Sequence, residues 1–190
     1  MFSPMVPSAA LTELDRAILL ATMAHAHQID KGGRPYIYHP LRVMLSLLPH
    51  VPFYSTELLP VAVLHDVIED TSCQLQELTN VYDSSSHIIE CLDYLTLYSG
   101  QSREGYIHNI FRPIWQTRIP RIVKLADMLD NTSSGRLDFL PRSKAKKLIE
   151  KYCKDFKIIQ QYFKTAKVNG PEAEFVSLLG GRLVNLKALI

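Results

Sequence analysis

The chain has 190 residues, of which 47% are hydrophobic, and 21 basic side chains against 19 acidic ones leave a formal net charge of +2. That suits one globular domain with a full core, and so small a charge argues neither for nor against nucleic acid. Three scattered cysteines (Cys73, Cys91, Cys153) with no CxxC pair exclude a disulfide framework or a cysteine–zinc site. No apolar run reaches the roughly 18–20 residues that span a bilayer, and the N-terminus lacks the basic region of a secretory signal. The expectation is a soluble protein of the reducing cytoplasm.

In chain order, residues 1–11 read as a loose arm. Thr12 followed by Glu13 and Asp15 signals a helix start, and Leu14, Ile18, Leu19 and Met23 carry helical spacing, so a first helix is predicted to about Gln28. His25 and His27 near its end point to different sides of a helix and make a poor chelate. DKGGRP forces a loop, and Pro40 opens a second helix, LRVMLSLLP, which leaves His39 at its lip. His39 there is either a capping or core-edge histidine, or a group placed to reach a neighbouring helix. A third helix is predicted over Leu58–Asp70. Shorter ones follow in CQLQELTNVY, in SSSHIIECLDYLTLY behind serine N-caps, in REGYIHNIF and in the PIW segment. Pro120 opens the strong helix RIVKLADMLDN, which GRLDFLP ends.

Residues 142–167 form the longest predicted amphipathic helix. It carries nine Lys/Arg against Glu150 and Asp155, which is either a solvated face or a means of steering an anionic substrate. Its polar side has little aromatic interleaving, which argues against nucleic acid as a partner. Residues 168–190 are a tail: a final helix broken at Gly180–Gly181, or a contact between two copies of the chain. No segment alternates with the period of a strand, so the predicted fold is all-α, one compact helical bundle.

Chemistry concentrates in VAVLHDVIEDT, residues 61–71, where His65, Asp66, Glu69 and Asp70 fall within six positions with no lysine or arginine to balance three carboxylates. Three- and four-residue spacing lets all four share one helical edge. Such a cluster asks for a cation, a divalent metal being one candidate; the other reading is a buried helix with an acidic end. Asp127 and Asn131, four apart, share a face of the helix after Pro120, although Asp127 alone could be a solvated acid. With His39 and the His65–Asp66 pair it completes two imidazoles and two carboxylates, a suitable shell for Mn²⁺, Fe²⁺ or Zn²⁺.

The order H…HD…D resembles the HD superfamily of metal-dependent phosphohydrolases, an all-α fold. More narrowly, GGRPYIYHPLRV, AVLHDVIEDT and RIVKLADMLDN are similar to the hydrolase domain of the RelA/SpoT alarmone enzymes, especially its short stand-alone forms. The resemblance covers roughly Leu11–Pro141, within an HD-type domain drawn at residues 12–167. It implies that His39, His65, Asp66 and Asp127 hold one Mn²⁺, while Glu69 and Asp70 orient or deprotonate the attacking water. It further implies that Lys31 is a basic residue at the nucleotide pocket, that Asn131 lies near the ribose, and that Ser134 and Leu137 line the pocket. The reaction implied is removal of the 3′-pyrophosphate from (p)ppGpp or a related alarmone. The family often has an arginine against the guanine base where this chain has Asp30, and an acid there should alter base contacts or repel a polyphosphate. Two alternatives therefore stand beside the first: an HD phosphohydrolase on another nucleotide (an adenosine alarmone, or the 2′-phosphate of NADPH), and a nucleotide-binding module without catalysis. The chain leaves no room for a synthetase domain after the hydrolase region.

Overall fold

A computed structural model describes residues 12–30, 32–82, 87–111, 118–166 and 168–188. The N-terminal arm, Lys31, the serines at 84–86 and the PIW segment lie outside the described residues. Within them the chain is helical, and the β contact recorded is a single bridge between Ile29 and Pro35.

Helix α1 (Glu13–Ala24) starts as its sequence predicts: the Thr12 side chain accepts from the Asp15 backbone and the Asp15 carboxylate accepts from the Thr12 backbone. It stops at Ala24, four residues short of Gln28. His25 caps it, bonding its Nδ1 to Gln28 Oε1 at 2.6 Å, and the chain turns into a short loop. Gly33 takes φ +80 in that loop, a conformation that favours glycine.

Helix α2 (Tyr38–Leu47) includes His39 and Pro40 in its first turn, so His39 is a helical residue and not one left outside the helix. A 3₁₀ turn (Leu48–Phe53) leads to α3 (Leu58–Leu64). The segment Leu58–Asp70 is not one helix. It breaks at His65–Asp66 and resumes as the single turn α4 (Val67–Asp70). The His65 ring lies 2.8 Å from the Ala62 carbonyl, the acceptor that the Asp66 amide would use in a continuous helix.

Four short helices lead to the site and its walls: α5 (Leu75–Thr79), α6 (His87–Leu95), α7 (Arg103–Phe111) and, further along the chain, the turn α9 (Ser134–Leu137). Helix α8 (Ile119–Asn131) is buried along most of its length, including Arg121, Lys124 and Asp127, because α2, α3, α6 and the C-terminal helix pack around it. Val61–Leu64 of α3 are fully buried beside it.

Helix α10 (Arg142–Ala166) packs against α7 and α11. The tail forms one continuous helix, α11 (Pro171–Lys187), without a break at Gly180–Gly181. Gly180 sits against the Phe156 ring, where a Cβ would come within 2.8 Å of the ring tip, so this glycine permits close approach of two helices. At the start of α11 the fully buried Glu172 lies 3.3 Å from Arg118 Nε and 3.5 Å from Arg121 Nε, tying the tail to α8.

Removing the acid from that contact would leave Arg121 buried with no counter-charge. Glu172→Ala is therefore expected to lower unfolding free energy by about 3 kcal/mol in urea titrations.

Candidate active site

Three backbone elements converge on one point. The first turn of α2 brings His39, the break between α3 and α4 brings His65 and Asp66, and the last turns of α8 bring Asp127. Donor atoms of His39, His65 and Asp127 all lie within 4.8 Å of one another. Asp66 Oδ2 adds a fourth, 3.3 Å from His39 Nε2 and 3.2 Å from His65 Nε2.

The two imidazoles are oriented from behind. His39 Nδ1 lies 2.7 Å from Asp130 Oδ2 and His65 Nδ1 lies 2.8 Å from the Ala62 carbonyl, so each ring donates from Nδ1 and turns Nε2 towards the carboxylates. Both Nε2 atoms are buried, and among the described residues neither has a hydrogen-bond partner despite its closeness to oxygen. Two orphaned nitrogen lone pairs facing two carboxylates fit a divalent cation. Without one, protons serve instead. Burial opposes charge on His39, yet Asp127, Asp130 and Asp66 overcome it and raise its pKa to about 9. His65 is likewise disfavoured by burial and raised, chiefly by Asp66 and then Asp127, to about 10.

The carboxylates are trimmed by neighbours, of which sequence reasoning places Asn131 beside Asp127 and misses the others. Lys124 Nζ donates to Asp127 Oδ2 at 2.8 Å, and Asn131 Nδ2 donates to Asp127 Oδ1. The Tyr36 hydroxyl lies 2.7 Å from both Asp66 Oδ2 and Asp70 Oδ2, and can donate to one of them at a time. Arg42 holds Asp130 through two bonds of 2.8 and 3.0 Å. Lys124 and Asp130 each lie three residues from Asp127, and Tyr36 lies three before His39, so one-turn spacing was the available signal.

Beside this cluster opens a cavity of about 340 Å³ whose lining includes the acids Asp66, Glu69, Asp70 and Asp127 and the cations Arg103, Lys124, Arg136 and Lys151. Glu69 Oε2 accepts from the Leu97 amide at 3.1 Å. Desolvation, with Asp66 and Asp70 adding like charge, raises its carboxyl above the ordinary value. Asn131 lines the cavity, its side-chain oxygen accepting from Arg136 at 2.8 Å. Ser134 and Leu137 are placed elsewhere, along a separate groove between α9 and α11, because the chain turns away after Asn131. Lys31 lies outside the described residues. Asp30 borders the cavity but is engaged with its own loop: Oδ1 accepts from the Gly32 and Arg34 amides at 2.8 and 3.0 Å, and Oδ2 lies 3.3 Å from the Arg34 guanidinium.

No protein-family profile matches the chain. Curated relatives do. A probable GTP pyrophosphokinase of Mycobacterium leprae is 35% identical over 143 residues, covering 73% of this chain and 17% of that protein. The bifunctional (p)ppGpp synthase/hydrolase SpoT of Escherichia coli is 30% identical over 131 residues, covering 66% of this chain and 18% of that protein. The guanosine-3′,5′-bis(diphosphate) 3′-pyrophosphohydrolase of Borreliella burgdorferi is 28% identical over 142 residues, covering 68% of this chain and 20% of that protein. Among solved structures, a metazoan ortholog of SpoT that hydrolyzes ppGpp superposes with a TM-score of 0.67 at 17% identity, over 92% of this chain and 96% of that one. The chain is thus similar to one part of the RelA/SpoT proteins and has the fold of that SpoT ortholog. It spans about a fifth of the length of the curated relatives it matches. The RelA/SpoT-like fold agrees with the all-α expectation, and among the described residues no helix is long and apolar enough to cross a membrane.

With the carboxylates raising both histidines above their ordinary value, a divalent cation bound between them would displace protons. Its affinity is expected to rise by about one to two decades per pH unit between pH 7 and 8.5. Calorimetry in two buffers of different ionisation enthalpy should show proton release, and a pH-independent affinity would contradict it.

Proposed function

We propose that this domain is a cytoplasmic phosphohydrolase that removes the 3′-pyrophosphate from (p)ppGpp or a related alarmone, with Mn²⁺ held by His39, His65, Asp66 and Asp127. The observation that carries the reading is the pair of buried, unpartnered Nε2 atoms facing two carboxylates, Asp66 and Asp127, which themselves line a cavity that cationic side chains also line. Bound there, the metal would lower the pKa of a water and neutralise phosphate charge.

The protein's own groups supply the rest. Water adds to phosphorus, the bond to the ribose 3′ oxygen breaks, and pyrophosphate leaves while that oxygen gains a proton. Glu69, at the cavity and raised above the ordinary carboxylate range, is the base that takes the water proton. Asp70 is held by Tyr36 at 2.7 Å and orients that water. Lys124, Arg136, Lys151 and Arg103 offset the phosphate charges, Arg103 being fixed in place by two bonds to Asp155 Oδ2 of 3.0 and 2.7 Å. Asn131 meets the nucleoside end.

The test is a Mn²⁺-supplemented hydrolysis panel of ppGpp, pppGpp, ppApp and NADPH. Pyrophosphate release from a guanosine substrate is expected. Orthophosphate from NADPH would favour another nucleotide, and binding without turnover would favour a silent module. Asp66→Ala should abolish both metal binding and turnover. Glu69→Ala should keep the metal and lose about 10²–10³-fold in kcat. Lys151→Ala should raise KM for a tetraphosphate more than it lowers kcat, since its charge meets substrate before reaction.

A further inference from the structure

Asp130 lies behind the candidate metal centre and lines none of the cavity above. The two candidate imidazole ligands are supported unequally. His65 leans on the main-chain carbonyl of Ala62 at 2.8 Å, which is neutral and fixed by the α3 backbone. His39 leans on the Asp130 carboxylate at 2.7 Å, which is charged and carried on a side chain. A carboxylate behind an imidazole makes the ring a more basic ligand and adds negative charge close to the cation, and neither effect comes from a carbonyl to the same degree.

Asp130 is itself held. Arg42 Nε donates to Oδ1 at 2.8 Å and its terminal nitrogen to Oδ2 at 3.0 Å, while Arg136 lies 3.9 Å from Oδ2. The fork fixes the carboxylate plane, and with it the direction of the His39 ring. Asp130 and Arg42 also line a second cavity with Ser46, His50, Ser133 and Arg182, and that cavity shares no lining residue with the first.

We infer that Asp130 is a positioning residue: it sets the tautomer, orientation and basicity of His39, with Arg42 as its clamp, and so governs how tightly the centre holds its metal. This rests on the reading of His39 as a metal ligand. Because Asp130 lines no part of the substrate cavity and meets its lining residue Arg136 at 3.9 Å, its effect should fall far more on metal affinity than on substrate KM at saturating metal.

The experiment measures free Mn²⁺ by electron paramagnetic resonance during titration of the full chain and of Asp130→Asn, with the melting temperature of each metal-free protein alongside. The expected result is a Mn²⁺ dissociation constant raised about 10–100-fold, a metal-free melting temperature close to wild type, and turnover restored by excess Mn²⁺. Equal Mn²⁺ affinity in both proteins overturns the role of Asp130 while leaving the metal centre standing. No Mn²⁺ binding by the wild type overturns the metal reading itself. If Asp130→Asn loses its cooperative melting transition, Arg42→Gln carries the test, since releasing the clamp should weaken Mn²⁺ about three- to tenfold. Unchanged affinity in that variant overturns the inference.

Discussion

Two imidazoles and Asp127, buried together with the half-buried Asp66 where α2, the α3–α4 break and α8 meet, set the terms for everything around them. Taking such groups out of water is costly unless each finds a partner, and the molecule meets that demand unevenly. Lys124 balances one oxygen of Asp127, and Arg42 balances Asp130. Asp66 has the Tyr36 hydroxyl and the two histidines but no fixed cation of its own. Among the described residues the permanent cations thus pair with Asp127 and Asp130, and the charge of Asp66 draws protons onto the histidines or a divalent cation between them.

The neighbouring cavity follows from the same charge pattern. Asp66 and Asp127 of the cluster contribute acid to its lining, and α7 and α10 contribute the cations Arg103 and Lys151. A polyanion lying in it can be neutralised by those cations. Of the nine basic residues at 142–167, Lys151 is the one among the described residues that reaches the cavity. The others stand along the rest of an amphipathic helix, so solvation accounts for most of that charge.

Asp30 shows how a substitution seen in sequence can change meaning once folded. Read along the chain it is an acid where a base-contacting arginine is common. In the structure its oxygens close a tight loop on the Gly32 and Arg34 amides, and Arg34 in turn reaches the Gly135 carbonyl at 2.7 Å. The acid therefore acts on the pocket by shaping its rim, and its negative charge is matched by Arg34.

The sequence by itself determined the helical class, most helix starts and the four groups that meet. Apolar periodicity, the Thr12 cap and the spacing within VAVLHDVIEDT are local properties that survive in any fold containing those helices. One-turn spacing also pointed to Asn131, which sits four residues after Asp127 and bonds to it. Only the tertiary structure decided the break at His65–Asp66, the straight course of α11 through Gly180–Gly181, the placement of Ser134 and Leu137 away from the cavity, and the supporting roles of Tyr36, Arg42, Lys124 and Asp130. The reason is physical. A ligand type is written in one residue, but what stands behind it belongs to another helix, 91 positions away for Asp130 and His39, and no local pattern carries that distance.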